Sequence, residues 1–330
     1  MISATPNSSN LFSPVADTYG VRLALVFGNH FTRGRCPFFE RQCWHCDIGA
    51  GEGGPFNTQL NKSRLDFFSE HYRSVLPDVA HLVVYNSGST LNPLELPRDL
   101  LGLILAFARS LPRCRAVSFD TREQFVTSGA LDVLIRGLRG DQKPRIGLGL
   151  ETQDDHLRLE VLKKRMLKPL VQAAFRETGR RTGDVGVDIN IVVQPPYLTD
   201  VFAIAEAVET ARFALDTGAR WGVPVDINIH PFYVSKIAKR MFPGVSRARQ
   251  DVTKAAVMEI RRLFLERGAA GQVFIGWQDE SHDQDENPLA SELATDRLAF
   301  AAFNVTQDPM SLAAQDRSSA TDAPLPRDHS

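Results

Sequence analysis

Seven short apolar, β-branched runs recur along this chain at intervals that leave room for a helix between neighbours. No other feature limits its fold as much. The runs occupy residues 22–28 (RLALVFG), 81–86 (HLVVYN), 115–119 (RAVSF), 145–151 (RIGLGLE), 186–193 (GVDINIVV), 223–230 (VPVDINIH) and 272–277 (QVFIGW). Near-continuous apolar strands of this kind belong to sheets covered by helices. Amphipathic stretches at 97–110, 154–179, 199–217 and 246–267 fill the gaps, with Pro97 suited to a first helical turn and Gly218 and Gly268 to helix ends. Strand–helix units joined by right-handed crossovers give a parallel sheet. Six or seven units make an α/β barrel or most of one; an open doubly wound sheet satisfies the same periodicity. Residues 1–19 and 307–330 are polar and aperiodic and read as disordered tails around a domain spanning 20–306, which ends in a helical extension.

Composition narrows the class. With 43% hydrophobic and 23% charged residues the chain can bury a full core, and a net charge of -1 provides no global field for nucleic acid. The local basic run of Lys236, Lys239, Arg240, Arg247 and Arg249 reads as a solvated helix face. No apolar run approaches a membrane span, and the first twenty residues lack the basic and apolar regions of a secretory leader. Of four cysteines, three fall within eleven residues, unlike the pattern of a secreted disulfide scaffold. A reducing cytoplasm, with no membrane partner, is the compartment expected, and clustered cysteines there serve metal or redox chemistry.

In a parallel α/β barrel, function gathers on the loops after the C-terminal strand ends. Directly after the first run comes GNHFTRGRCPFFERQCWHCDIGAGEGG, in which Cys36, Cys43 and Cys46 form a C-x6-C-x2-C pattern. A structural zinc site wants four protein ligands, and His45 and Asp47 adjoin Cys46 too closely to complete a tetrahedron easily. Cys114 precedes the third run, at the opposite strand end, and reads as a small buried hydrophobe. Three soft thiolates suit a 4Fe–4S cluster that leaves one iron open. Zinc and a redox-sensing cluster stay as alternatives on spacing alone. Gly49, Gly51, Gly53 and Gly54 would let backbone pack closely round an inorganic core or ligand.

A strand followed by a three-cysteine loop at the start of a βα barrel resembles the radical S-adenosylmethionine superfamily. The usual family spacing is C-x3-C-x2-C, and the longer first gap resembles the branch holding the archaeosine synthase radical subunit and the Elongator catalytic subunit. Later segments are similar to that branch in order: NSGSTLNPLELP after the second run, SFDTREQFV after the third, GLGLET closing the fourth and VVQPPYLTD closing the fifth. The likeness covers about residues 21–235. Aspartate stands at Asp120 where the branch tends to have glutamate, and Glu123 stands where it has proline.

That resemblance implies a partial (β/α)6 TIM-like barrel of the radical S-adenosylmethionine type. Its cofactors would be a 4Fe–4S cluster on Cys36, Cys43 and Cys46 and S-adenosylmethionine on the open iron. One-electron reduction of the sulfonium would yield a 5′-deoxyadenosyl radical that abstracts hydrogen from substrate. Cofactor-binding positions implied are His45, Ser87, Gly88, Ser89, Arg122, Glu151 and Gln194, with Lys163, Lys164 and Arg165 near the methionine carboxylate. Two of those three cations, at least, read as solvated. Asn190, Asn228, His230 and Tyr233 lie on or after the fifth and sixth runs, and His230 and Tyr233 are the catalytic candidates. The repeated Asp-Ile-Asn-Ile, at 188–191 and 226–229, would turn one polar residue of each pair into the substrate cavity. A small-molecule substrate is the first expectation and tRNA the second, with flavodoxin or ferredoxin as electron donor. A zinc-stabilised binding or scaffold protein is the reading from another class.

Overall fold

The computed structural model describes residues 13–27, 43–46, 58–181, 183–276 and 294–313. All seven apolar runs carry strands: Gly20–Phe27 (β2), Val79–Asn86 (β3), Ala116–Thr121 (β4), Lys143–Glu151 (β5), Gly186–Val193 (β6), Val225–Pro231 (β7) and Val273–Ile275 (β8). An eighth strand, Val15–Asp17 (β1), precedes them. One sheet runs in the order β1 to β8, with β1 antiparallel to β2 and every later neighbour parallel. The expected six-unit barrel is therefore corrected to an eight-stranded sheet with seven parallel strands. The curl of this sheet brings its edges together: Thr18, just after β1, donates through N–H and Oγ1 to Gln272 Oε1, just before β8, at 3.1 and 2.7 Å.

Helices occupy the connections: Thr58–His71 (α1), Arg98–Ser110 (α2), Ser128–Gly137 (α3), Lys168–Gly179 (α4), Asp200–Trp221 (α5), Lys236–Met241 (α6) and Gln250–Arg267 (α7), followed by Ala294–Thr306 (α8) and Met310–Ala313 (α9). In α2, Leu100, Leu101, Ile104, Leu105 and Ala108 recur at three- and four-residue steps and bury one stripe. Helix α5 runs past Gly218 and stops at left-handed Gly222, whereas α7 stops at Gly268 as its sequence suggests. The amphipathic stretch 154–179 is two pieces. A π turn covers Leu157–Val161, and Lys163 and Arg165 then take left-handed conformations (φ 51° and 47°) that no helix tolerates.

The terminal stretches are also corrected. Asp17 is buried and paired within the sheet, so the fold begins well before residue 20. Past residue 306, Gln307 exchanges hydrogen bonds with the backbone of Val273 at 2.7 and 2.9 Å, and Leu312 is buried.

Alternation along the strands sorts the two faces. Leu23, Leu25, Phe27, Leu82, Val84, Val117, Phe119, Ile146, Leu148, Ile189, Ile191, Ile227 and Ile229 face outward into the main core under the helices. The other face carries polar groups on β4–β7, so both polar residues of each Asp-Ile-Asn-Ile repeat face inward, rather than one of each.

At the N-terminal strand ends the interior is sealed by a buried ionic floor. Arg145 pairs with Asp188 at 2.5 Å and Asp226 at 3.0 Å. Ser118 Oγ donates to Asp188 at 2.5 Å, and His81 bridges Ser118 (2.8 Å) and Asp17 (2.6 Å). Tyr19 Oη donates to Asp226 at 3.0 Å. Burial of so many charges is tolerated because each finds an opposite charge or a hydrogen bond. The Arg145 guanidinium outweighs burial at Asp188 and holds its carboxyl down, whereas burial prevails at Asp226 and pushes it up. Cys114, outside the floor, is fully buried and its thiol is pushed up to about 11 by burial, as its reading as a core residue requires.

Candidate functional site

The C-terminal strand ends form the opposite mouth. Cys43 and Cys46 close a turn there, Cys46 N–H donating to Cys43 O at 3.0 Å. Backbone bonds tie this turn to the loop after β5: Cys43 N–H to Lys163 O at 3.0 Å, and Trp44 N–H to Leu162 O at 2.9 Å. Trp44 packs against Phe242 at the mouth, ring centroids 6.2 Å apart, in a small apolar cluster separate from the main core. Cys36 and Gly49 to Gly54 lie outside the described residues.

Beneath this turn sits a buried charge cluster. Glu151 Oε1 accepts from Lys164 Nζ at 2.7 Å and lies 3.5 Å from His45 Nε2. His45 Nδ1 is buried with no hydrogen-bond partner among the described residues. Glu151 reaches the cluster because β5 ends in a left-handed residue (φ 67°) where its register with β6 slips. Gly149 is required for the same contact: a Cβ there would stand 2.6 Å from both Glu151 Oε1 and Lys164 Nζ. Burial would raise the Glu151 carboxyl, but Lys164 and His45 outweigh it and hold it far below the usual carboxylate range. Lys164 is correspondingly raised, its loss of water outweighed by Glu151 and Cys43. Burial pushes the Cys43 thiol up, opposed by the Lys164 and Arg122 charges.

The other sequence-derived positions fall round the same mouth with differing roles. In the Ser-Gly-Ser loop, Ser87 N–H donates to Phe27 O at 3.1 Å, Gly88 has φ 128°, and Ser89 N–H donates to Glu95 Oε2 at 2.6 Å. Glu95, which the sequence reading left without a role, also accepts from Asn92 at 2.5 Å and so fixes the loop from within. Arg122 sends Nη2 to the carbonyls of Lys164 (3.2 Å) and Arg165 (2.8 Å), where it clamps the loop that carries Lys164. Arg158, fully buried, holds the same loop from the other side through Met166 O at 2.7 Å and Thr152 O at 2.8 Å. Gln194 joins Asp200 (2.7 Å) and the Arg249 backbone (2.8 Å), away from the Glu151 cluster. His230 is buried on the inner face of β7, and Tyr233 is half-buried just beyond the strand.

Of the three successive cations, only Lys164 turns inward. Lys163 pairs with Glu160 and lies 5.5 Å from the Trp44 ring, and Arg165 is exposed. In the basic run, Lys236, Lys239 and Arg240 are exposed on α6, and Arg249 pairs with Asp200 and Asp251. Deeper inside, Asp120 accepts from Asn190 Nδ2 at 3.4 Å, and Asn190 Oδ1 accepts from Asn228 Nδ2 at 3.0 Å. Burial pushes the Asp120 carboxyl up to about 7, against the pull of Lys164.

Six of the seven left-handed non-glycine residues among those described crowd this end of the sheet: Cys43, Glu151, Lys163, Arg165, Gln194 and Tyr197. Each such backbone costs about 1 kcal/mol or more, and strain of this sort collects where side chains are aimed at ligands.

No family model matches the chain. An uncharacterized protein of Methanocaldococcus jannaschii is similar to it, 20% identical over 158 residues, which is 47% of this chain. The aligned part covers 42% of that relative, so the chain spans less than half the length of the curated relative it matches. No described helix is long and apolar enough to cross a membrane.

Proposed function

We propose that the chain is a radical S-adenosylmethionine enzyme, with a 4Fe–4S cluster on Cys36, Cys43 and Cys46 and a small-molecule substrate inside the sheet. The observation that carries this reading is the turn from Cys43 to Cys46, tied by two backbone bonds to the loop whose Lys164 meets Glu151. Among the described residues no group of three metal-ligating side chains occurs, and Cys36 falls outside them, so the fit rests on the donors present. They fit by donor chemistry: two soft thiols share one turn, and although burial pushes the Cys43 thiol up, Lys164 and Arg122 pull against that rise.

When bound, the cluster and S-adenosylmethionine would supply an adenosyl radical able to take hydrogen from an unactivated C–H bond. Glu151, kept ionised, offers an acceptor to a ribose hydroxyl or an ammonium group beside the cysteine turn. His45 Nδ1, buried and unpartnered among the described residues, offers a polar contact on the same side. Arg122 and Arg158 hold the 162–166 loop so that Lys164 stays on Glu151. Trp44 and Phe242 give the turn an apolar flank.

Anaerobic reconstitution with iron and sulfide tests the metal assignment. The reading requires about four iron and four sulfide per chain, lost in Cys43→Ala and Cys46→Ala. One zinc per chain without sulfide would support the scaffold reading instead.

A further inference from the structure

Inside the sheet, between the ionic floor and the Glu151 cluster, lies a layer that neither of them uses. Its hydrogen bonds run one way: Asn228 donates to Asn190, and Asn190 donates to Asp120. The ladder therefore ends on acceptors, because Asp120 Oδ2 and Asn228 Oδ1 have no hydrogen-bond partner among the described residues. Neither oxygen is sealed off, and Asp120 and Asn190 keep accessible surface. Gly147 supplies the room: a Cβ there would crowd the Asp120 Cα and Oδ1 at 3.2 Å.

The inner face is divided. Strands β4, β6 and β7 contribute Asp120, Asn190, Asn228 and His230. Further round, β2, β3 and β8 contribute Ala24, Val83 and Phe274, all buried and none part of the outer core. The Arg22 guanidinium lies over the Phe274 ring, 4.0 Å from its centroid, and pairs with Asp17 at 3.7 Å. The layer thus carries polar side chains on β4, β6 and β7 and apolar ones, one of them aromatic, on β2, β3 and β8.

We propose that this layer is the substrate subsite and that it takes a neutral cyclic polyol, its hydroxyls donating to Asp120 and Asn228 and its C–H face against Phe274. The inference rests on the reading of the sheet interior as the substrate chamber. Above about pH 7, where Asp120 is ionised, it selects against phosphate monoesters and free carboxylates, whose charge would meet that carboxylate. A hydroxyl donating to a buried carboxylate contributes about 1.5–3 kcal/mol, which is tenfold or more in affinity.

Saturation-transfer NMR on the full chain, without S-adenosylmethionine or reductant, tests it with myo-inositol and D-ribose as probes and ribose 5-phosphate as the anionic control. The expected result is transfer to the ring C–H protons of a neutral polyol, with Kd raised tenfold or more in Asp120→Asn and in Asn228→Leu. Circular dichroism and urea unfolding establish that both variants are folded. Absence of binding by both polyols, binding unchanged in folded Asp120→Asn, or preference for the phosphate ester would overturn the proposal. Because no cluster or reductant takes part, a negative result here leaves the metal assignment standing, and loss of the metal assignment leaves this binding measurable.

Discussion

Lys164 Nζ meets Glu151 Oε1 at 2.7 Å although a π turn separates the two and Lys164 sits between two left-handed residues. The contact joins the end of β5 to the loop whose carbonyls at Leu162 and Lys163 accept from Trp44 and Cys43. Lys164→Met strands the Glu151 carboxylate in a site that burial makes hostile to it. A loss of about 3–5 kcal/mol in urea unfolding is expected. The double variant Glu151→Gln, Lys164→Met should recover a large part of that loss, and a double variant no better than Lys164→Met would refute the pairing.

Arg145 holds two carboxylates in the floor that seals the sheet. Arg145→Met takes from Asp188 and Asp226 the cation they share, leaving only hydrogen bonds such as those from Ser118 and Tyr19, and should cost about 3–5 kcal/mol, lowering the urea midpoint strongly. The Asp188 carboxyl is held below its unfolded value, so its contribution is present above about pH 4 and lost as pH falls through the folded value. Arg145→Met should therefore lose the acid-unfolding step that this carboxylate contributes.

Asp120 has the opposite sign. Its carboxyl is raised from 3.8 to about 7, so the folded state holds the proton more tightly than the unfolded chain. Stability from this group is complete below about pH 4 and falls as pH rises through 7. Asp120→Asn removes the effect, and the stability of the variant relative to the parent should climb by about 1.4 kcal/mol per pH unit between pH 4 and 7. Urea midpoints at pH 5 and pH 8 give the measurement; a constant difference would contradict the assigned shift.

Arg165 is exposed, with φ 47°, and lends the Arg122 clamp only its backbone carbonyl. Arg165→Gly should leave the melting temperature unchanged or raise it slightly, because glycine adopts this conformation without strain. Arg165→Val should lower stability by about 1–2 kcal/mol. Equal melting temperatures for the two variants would show that the backbone there is unstrained.

Much of this was legible in the residues. The seven apolar runs mark the seven parallel strands, because outward-facing positions such as Leu23, Leu25, Ile189 and Ile191 repeat wherever helices cover the sheet. β1 escaped notice because three residues give no periodicity; its place depends on Asp17 reaching His81, sixty-four positions away. The loop at 162–167 was read into a helix because Lys163, Lys164 and Arg165 are good helix formers, and tertiary clamps from Arg122 and Arg158 overrode that propensity. Glu151 was legible as a carboxylate ending an apolar strand. Its partner was not, since nothing local separates Lys164 from the two cations beside it. Asn190 and Asn228 were legible from the doubled Asp-Ile-Asn-Ile, whose period of two in fact sends both polar residues of each repeat to one face; their link to Asp120 on β4 was not, because it depends on the pairing of distant strands.

The central claim is tested most directly by anaerobic incubation of the reconstituted protein with S-adenosylmethionine and dithionite, followed by quantification of 5′-deoxyadenosine. The account predicts 5′-deoxyadenosine from the parent chain, none from Cys43→Ala, and a strongly reduced yield from Glu151→Gln. Absence of 5′-deoxyadenosine from parent protein carrying its full iron and sulfide, or equal yields from parent and Cys43→Ala, would contradict it.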